Sequence, residues 1–222
     1  MTQIQGSEYD RLFYPFLFEG GQVSLDEVLA QVRHSTLEKC RDIIGLRRAT
    51  LARHQADIVA AGQAMAQAFA AGGTLFAFGN GGSATDVQDI VADLLAPEVP
   101  GWRSLPALAL TDDVAVVTAV ANDVGFANVF TRQIIAFGQP GDIALGFSTS
   151  GTSKNVLAAL EQAKKQGMLT IGLAGYDGGQ MAQMTAVDFC LVCPSDHIPR
   201  IQEAQATVYH ALLEVVQVIL SP

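Results

Sequence analysis

Two short segments of the sequence combine hydroxyl side chains with glycines in the way that phosphate-binding loops do. The first reads FGNGGS over residues 78–83, and the second reads FSTSGTS over residues 147–153. Each follows a short apolar run and precedes a helical pattern, so each is expected between a strand end and a helix start. Unpaired N–H groups and the helix dipole favour an anion at that place. The segments therefore predict a phosphate cradle. Its hydroxyl groups belong to Ser148, Thr149, Ser150 and Ser153.

Two other interpretations compete with the cradle. Ser83 and either Thr152 or Ser153 could serve only as helix caps. The stretch GNGGSA over residues 79–84 also matches a relaxed dinucleotide-binding fingerprint, which requires an acidic residue at the end of the next strand, roughly 20 residues on. The next predicted strand ends at Asp112, well beyond that distance, so the cradle is preferred. A Walker A loop is excluded, because neither segment contains Gly-Lys-Ser/Thr.

Asp89 and Asp93 form an acidic pair whose spacing suits proton transfer or cation binding. They lie four residues apart in a helical pattern, so both carboxylates project from one face. Such a pair could bind a cation or hold one raised pKa for acid–base work, although a solvated acidic face is the ordinary alternative. His210 lies in an otherwise apolar helical stretch, a setting that suits a core histidine as well as a proton shuttle.

Elements of an α/β fold must position these groups. Residues 1–24 are aromatic-rich and are interpreted as an N-terminal arm, and residues 25–222 as one domain that includes its N-terminal helices. The helical periodicity of residues 25–72 predicts two helices that could pair as an antiparallel hairpin. Five short apolar strands then alternate with helices, which predicts a doubly wound parallel sheet covered on both faces. The predicted strands occupy residues 74–79, 105–111, 141–148, 169–175 and 186–193.

The composition of the 222-residue chain limits its class and its partners. Half of the residues are hydrophobic, 16% are charged, and the formal net charge is −9 at pH 7. These values argue against a disordered chain and against direct nucleic-acid binding. Neither a signal peptide nor a membrane-spanning stretch is expected. The odd number of cysteines suggests a reducing cytoplasm. Cys190 and Cys193 lie three apart in a strand pattern, so they are expected in the core on opposite faces of the sheet.

Five motifs, in order along the chain, resemble a sugar isomerase (SIS) domain. They are FAFGNGGSATDVQDIVADLL, LPALALTDD, VANDVGF, GFSTSGTSKNV and PRIQEAQATVYHALLEVV. They are similar in particular to the phosphoheptose isomerase branch, which includes replication-initiator-associating adaptor proteins. The resemblance extends from Ser35 to Leu220. It implies a flavodoxin-like five-stranded sandwich, a homotetramer, and active sites formed where subunits meet.

The resemblance also implies roles for individual residues. Family members convert sedoheptulose 7-phosphate to a heptose 7-phosphate by moving a proton through an enediol, often beside a zinc ion. The carboxylate and the histidine that move the proton correspond to Asp93 and His210. The implied metal ligands are Asp89, Asp93, Gln202 and His210. The implied contacts with the phosphorylated sugar are Asn80, Gly81, Gly82, Ser83, Thr111, Asp112, Ser148, Thr149, Ser150, Ser153 and Gln202.

The chain departs from the family pattern where the metal and the catalytic residues are expected. Asp89 stands in place of a metal-binding histidine, and Asp93 stands in place of the catalytic glutamate. Two carboxylates favour Mg²⁺ or Mn²⁺ over Zn²⁺, and aspartate is one methylene shorter than glutamate, which reduces its reach. The sequence APEVPGW over residues 96–102 replaces a basic turn. Gln202 and His210 are eight residues apart, about 12 Å along a helix, which suggests that one metal ligand comes from another subunit.

Two functions from different classes remain compatible with these observations. The first is an aldose–ketose isomerase that acts on a seven-carbon sugar phosphate. The second is a non-catalytic SIS module that senses a sugar phosphate or acts as a protein adaptor. The phosphate loops support both functions, so only the acid–base groups discriminate between them.

Overall fold

The computed structural model describes residues 25–221, so the predicted N-terminal arm over residues 1–24 lies outside the described residues. The first described element is helix α1, Leu25–Ala70. It runs through two structural units, one that ends at Arg41 and one that begins at Asp42.

Helix α1 is continuous over 46 residues, so the predicted hairpin of two helices is wrong. A hairpin needs a turn, and the sequence between Gly45 and Gly62 contains neither glycine nor proline to form one. The helix ends where the glycines predicted it would. Gly72 has a φ of +92°, and the N–H of Gly73 donates to the carbonyl of Ala68, which closes the last turn with glycine in the left-handed region.

Five parallel strands form one sheet, as the sequence predicted. Strands β1 to β5 occupy Leu75–Gly79, Ala107–Ala109, Ile143–Ser148, Leu169–Gly175 and Phe189–Cys193. Helices α2 to α6 occupy Gly82–Leu95, Val114–Asp123, Thr131–Phe137, Lys154–Lys165 and Ile198–Leu220. The strand order is β2-β1-β3-β4-β5, which is the flavodoxin-like order.

Helices cover both faces of the sheet, because the strands are apolar on both sides. On one face, α2, α6 and the C-terminal half of α1 pack over side chains such as Leu75 and Leu145. On the other face, α4 and α5 pack over Phe76 and Phe78. Among the described residues, no helix is long and apolar enough to cross a membrane.

Cys190 and Cys193 lie on opposite sides of β5, as predicted. Cys193 belongs to the core beneath α6, whereas Cys190 packs against the core on the other face. Burial raises the pKa of each thiol to about 11. Both groups therefore stay protonated near neutral pH, and they are weak nucleophiles and poor metal ligands.

The chain order brings the two predicted loops together. Strands β1 and β3 are neighbours with Gly79 opposite Phe147, so the loops that follow them begin at the same sheet edge. Strand β2 lies on one side of β1, and β3 lies on the other side. The strand order therefore reverses at the ends of β1 and β3. Ligands bind at such points in open α/β sheets.

Helices α2 and α6 pack side by side and run in the same direction. Near their N-termini, a Cβ added to Gly82 would lie 2.0 Å from Nε2 of Gln202. Further along both helices, Nε2 of His210 lies 3.2 Å from Oδ2 of Asp93. The parallel packing of α2 and α6 therefore brings residues that are more than 100 positions apart in the sequence into contact along the two helices.

Candidate active site

A reciprocal pair of hydrogen bonds joins the first loop to the helix that follows the second. Nδ2 of Asn80 donates to Oδ1 of Asn155 over 2.9 Å, and Nδ2 of Asn155 donates to Oδ1 of Asn80 over 2.8 Å. Asn155 lies in the first turn of α5. The sequence analysis did not single it out, although it comes two residues after the predicted cradle.

The second loop is closed by contacts among its own hydroxyl groups. Oγ of Ser148 donates to Oγ of Ser153 over 2.9 Å, and the hydroxyls of Ser150 and Thr152 lie 2.9 Å apart. Gly151 has a φ of +65°, and a Cβ at this position would lie 2.0 Å from the carbonyl oxygen of Gly178. Glycine is therefore required for the loop to turn here.

Neither Ser83 nor Ser153 makes a side-chain capping hydrogen bond. The N-cap of α2 is Gly81 rather than Ser83. Ser153 occupies the N-cap position of α5 without a capping bond from its side chain, and the N–H of Val156 in the first turn donates to Oδ1 of Asn155. Backbone N–H groups and the helix dipole favour an anion at both helix starts.

A polar contact ties the end of β2 to the same site. Nε2 of Gln88 on α2 donates to Oδ1 of Asp112 over 2.8 Å, and the Thr111 hydroxyl lies 3.3 Å from the same oxygen. The predicted residues Thr111 and Asp112 are thus held beside α2. Gln88 was missed by the sequence analysis, because a glutamine on a helix surface gives no distinctive signal.

Asp89, Asp93 and His210 form a compact cluster between α2 and α6. One ligand atom from each lies within 4.8 Å of the others. Nε2 of His210 is 3.2 Å from Oδ2 of Asp93 and 3.8 Å from Oδ2 of Asp89. The His210 side chain is 49% exposed, so it is not a core histidine. Both carboxylates face an imidazole, so the pair is more than a solvated acidic face.

Tyr209 is a further member of this cluster that the sequence analysis missed. Its hydroxyl donates to Oδ2 of Asp89 over 2.5 Å. Burial, followed by the hydrogen bond to Asp89, raises the pKa of Tyr209, so the hydroxyl remains protonated at neutral pH. The only signal in the sequence was its position beside His210 in an apolar helix.

Asp86 lies one turn before Asp89 on α2. Burial is the main cause that raises the pKa of Asp86 to about 6, and the negative charge of Asp89 raises it further. Its Oδ2 is buried and has no hydrogen-bond partner. Asp86 therefore holds a proton at mildly acidic pH.

Gln202 lies at the first loop, where its amide contacts Gly82. Any side chain at position 82 would displace this amide, which explains why the loop has glycine there. The structure thus brings Gln202 to the predicted sugar-binding loop. His210 lies two helical turns further along α6.

A cavity of about 290 Å³ opens beside Asp93 and His210. The turn that replaces the expected basic segment forms one wall, and α6 forms the other. The other lining residues are Pro97, Glu98, Val99, Trp102, Leu213 and Glu214. Within residues 25–221, no lysine or arginine lines this cavity, so the phosphate of a substrate is better accommodated at the two loops than here.

The cluster fits a divalent cation. Two carboxylates and one imidazole offer ligand atoms close enough to bind the same ion, and the aspartates share one face of α2. Carboxylate oxygen suits Mg²⁺ and Mn²⁺, while imidazole also suits Zn²⁺. The three residues therefore make a possible metal site without fixing the metal.

Comparisons with known proteins agree with this fold. Residues 40–175 match the SIS domain family, which defines the chain as a sugar isomerase domain. The phosphoheptose isomerase of Geotalea daltonii is 46% identical over 160 residues, which cover 72% of this chain and 82% of that protein. That of Geobacter sulfurreducens is 39% identical over 200 residues, which cover 89% of this chain and 100% of that protein.

A solved structure gives the same result. The phosphoheptose isomerase GmhA from Neisseria gonorrhoeae superimposes with a TM-score of 0.77 at 34% identity, covering 83% of this chain and 98% of that one. The chain belongs to the SIS domain family and, within it, to the phosphoheptose isomerases.

The raised pKa of Asp86 predicts a pH-dependent stability. Asp86 binds its proton more tightly in the folded protein than in the unfolded chain, so the free energy of unfolding falls as pH rises from about 4 to about 6. Asp86→Asn removes this loss. The free energy of unfolding of Asp86→Asn, relative to that of wild type, should therefore increase by about 1 kcal/mol from pH 4.5 to pH 8. This value is reduced to allow for the partial exposure of Asp86.

Urea unfolding of chelator-treated protein at the two pH values measures this gain. Asp196→Asn, which replaces an exposed carboxylate, serves as the control and should show no such gain. If the free energies of unfolding of Asp86→Asn and wild type differ by the same amount at both pH values, the pKa of Asp86 is not raised in the folded protein.

Proposed function

We propose that the protein is an aldose–ketose isomerase that converts sedoheptulose 7-phosphate to D-glycero-D-manno-heptose 7-phosphate. The observation that carries this proposal is the contact between Asp93 and His210, 3.2 Å apart, beside a cavity and on a helix that starts at the first of the two phosphate-type loops. A carboxylate and an imidazole at this distance form a pair that can move a proton between two carbons of a sugar. The names of the relatives agree with this chemistry.

The phosphate is held by the hydroxyls of the second loop and by the start of α5. Ser148, Ser150 and Ser153 place oxygen atoms around a loop that Gly151 allows to turn tightly. The sugar chain then lies along the first loop, where Asn80 and Gln202 offer amide groups. This orientation leads from the phosphate at one end to Asp93 and His210 at the other.

The reaction transfers one proton from C1 to C2 of the bound ketose. Asp93 removes the proton from C1, while His210 donates a proton to the carbonyl oxygen at C2, which gives an enediol. Return of the carbon-bound proton to C2, with loss of the C1 hydroxyl proton to the imidazole, gives the aldose. Each group ends the cycle in its starting protonation state.

Asp89, Asp93 and His210 would hold the divalent metal of the family. The glutamine ligand that the resemblance implies at Gln202 would come from another subunit, because Gln202 of the same chain lies two helical turns from His210. A bound cation would supply Lewis-acid polarisation of the sugar carbonyl. Mg²⁺ or Mn²⁺ suits the two carboxylates better than Zn²⁺ does.

The same two aspartates also favour a second candidate, a non-catalytic sugar-phosphate sensor or adaptor. Both replace residues that the family pattern uses for metal binding and proton transfer. Incubation with sedoheptulose 7-phosphate, with and without Mg²⁺, Mn²⁺ or Zn²⁺, discriminates the two functions. Tight binding without turnover under every metal condition would favour the second.

The protein is also proposed to form a homo-oligomer, as the resemblance implies a tetramer. Helix α3 has no buried residue, and Val114 on it is 68% exposed. An apolar groove of about 290 Å³ lies between α1 and α6, lined by Leu51, Ile58 and Val208 among others. Apolar helix faces of this kind are usually covered by a second copy in a closed assembly. A cytoplasmic location belongs to the same proposal and rests on the odd number of cysteines.

Removing two cradle hydroxyls should weaken binding of the sugar phosphate. Ser148→Ala combined with Ser150→Ala loses hydrogen bonds to a charged group, each worth about 1.5–3 kcal/mol, so Kd should rise at least tenfold. Isothermal titration with the sugar phosphate measures the change. The control is Ser195→Ala, which removes a hydroxyl in the loop after β5. Equal affinity of the double variant and wild type would refute the cradle.

Removing either proton-transfer group should abolish most turnover while stability changes little. Loss of general acid–base catalysis costs about 10²–10⁴-fold in rate, and this is expected for Asp93→Asn and for His210→Gln. The double variant should lose less than the product of the two effects, because the residues act as a unit. Glu161→Gln, at a surface ion pair with Lys165, is the control. Normal turnover by Asp93→Asn would show that this residue is not the base.

Sedimentation equilibrium at micromolar concentration should show an oligomer. Leu51→Glu places a charge in the apolar groove, where Leu51 is 53% exposed, and should shift the protein toward smaller species. Glu161→Gln again serves as the control. A wild-type protein that sediments as a monomer would contradict the proposed assembly.

A further inference from the structure

We propose that Tyr209 is a positioning residue that fixes the Asp89 carboxylate and sets its place relative to the phosphate loop. This inference rests on the proposed isomerase function, because it assigns a role within the same site. Tyr209 does not belong to the residues that the family resemblance implied. Its role follows from three contacts, one made by its hydroxyl group and two made by its ring.

The hydroxyl contact is short and protected from water. Tyr209 is 1% exposed, and its hydroxyl donates to Oδ2 of Asp89 over 2.5 Å. Among the described residues, this hydroxyl is the one hydrogen-bond donor recorded for the Asp89 carboxylate. Asp89 itself is exposed, so without this bond its side chain would be free to rotate into solvent.

The charges around Asp89 give this bond its importance. Asp86, Asp89 and Asp93 follow one another along α2 at spacings of three and four residues, which places three acidic groups on adjacent turns of one face. Like charges at such spacing repel one another. A neutral hydroxyl that donates to the central carboxylate opposes this repulsion without adding a charge that would compete with a cation.

The ring contacts connect the cluster to the phosphate site. One side of the Tyr209 ring meets Phe147 in an edge-on contact, with centroids 5.9 Å apart. The His210 ring lies at 4.5 Å between centroids. Phe147 is followed directly by Ser148, the first hydroxyl of the cradle. One buried side chain therefore spans from the strand that presents the phosphate loop to a carboxylate of the possible metal site.

The role is that of a supporting residue, since Tyr209 has no exposure through which to touch a substrate. Partners that hydrogen-bond to metal ligands typically change metal affinity or activity by about 10–100-fold when they are removed. The phosphate is bound elsewhere, so the effect should fall on kcat and on metal binding rather than on KM.

The test uses Tyr209→Phe, which keeps the ring contacts and removes the hydroxyl alone. Its Mn²⁺ affinity, measured by electron paramagnetic resonance of the metal-stripped protein, should fall about 10–100-fold. In the isomerase assay, the kcat of Tyr209→Phe should fall by a similar factor, while its KM for the sugar phosphate stays within twofold of the wild-type value. Tyr176→Phe, at an exposed tyrosine, is the matched control and should leave both quantities unchanged.

A double-variant cycle shows whether Tyr209 acts through Asp89. Adding Tyr209→Phe to Asp89→Asn should produce little further loss of Mn²⁺ affinity, because the carboxylate to be positioned is already absent. Full additivity would overturn the proposal, as would wild-type Mn²⁺ affinity in Tyr209→Phe. A Tyr209→Phe protein that fails to fold would overturn it as well, since a role confined to the hydroxyl leaves the core intact.

The metal measurement separates this inference from the proposed function. A protein whose Mn²⁺ affinity depends on the Tyr209 hydroxyl but that turns over no sugar phosphate would support the positioning role and refute the isomerase. A wild-type protein that turns over substrate but binds no Mn²⁺ would refute the positioning role and leave the isomerase standing.

Discussion

The parallel packing of α2 against α6 is the contact on which the whole site depends. These helices come from opposite ends of the sequence, and each alone carries only half of the chemistry. Asp89 and Asp93 belong to α2, whereas Tyr209 and His210 belong to α6. Three contacts along the pair, at Gly82, Asp89 and Asp93, hold the helices in one register. A shift of one residue in that register would separate every one of these partners.

The sheet determines why the two helices meet where they do. Strands β1 and β3 end side by side, so the first loop starts α2 next to the second loop and its hydroxyls. The Asn80–Asn155 pair then fixes the distance between the two loops. The two loops at the sheet edge and the Asp89, Asp93 and His210 cluster between α2 and α6 are consequently separate parts of the structure, and either can change while the other is retained.

Much of this arrangement could be predicted from the sequence, because it depends on local patterns. The strands, the two loops and the shared face of Asp89 and Asp93 all follow from periodicity and from glycine and hydroxyl spacing. The hairpin prediction failed because helical periodicity alone cannot show whether a helix stops, and no breaking residue lies between Gly45 and Gly62. Tyr209 and Asn155 could not be found, since their roles come from partners more than 70 residues away.

The contacts of the cluster explain how three neighbouring carboxylates are held on one helix. Asp86, Asp89 and Asp93 lie along α2, which offers no basic residue beside them. Their contacts come from across the helix pair instead, with the Tyr209 hydroxyl donating to Asp89 and the His210 ring beside Asp93. The partners of Asp89 and Asp93 thus reside on α6, so the acidic face of α2 is best understood together with Tyr209. Two carboxylates with one imidazole suit a harder cation than imidazoles alone do, and burial keeps the Tyr209 hydroxyl protonated at neutral pH, so that it can support such a site.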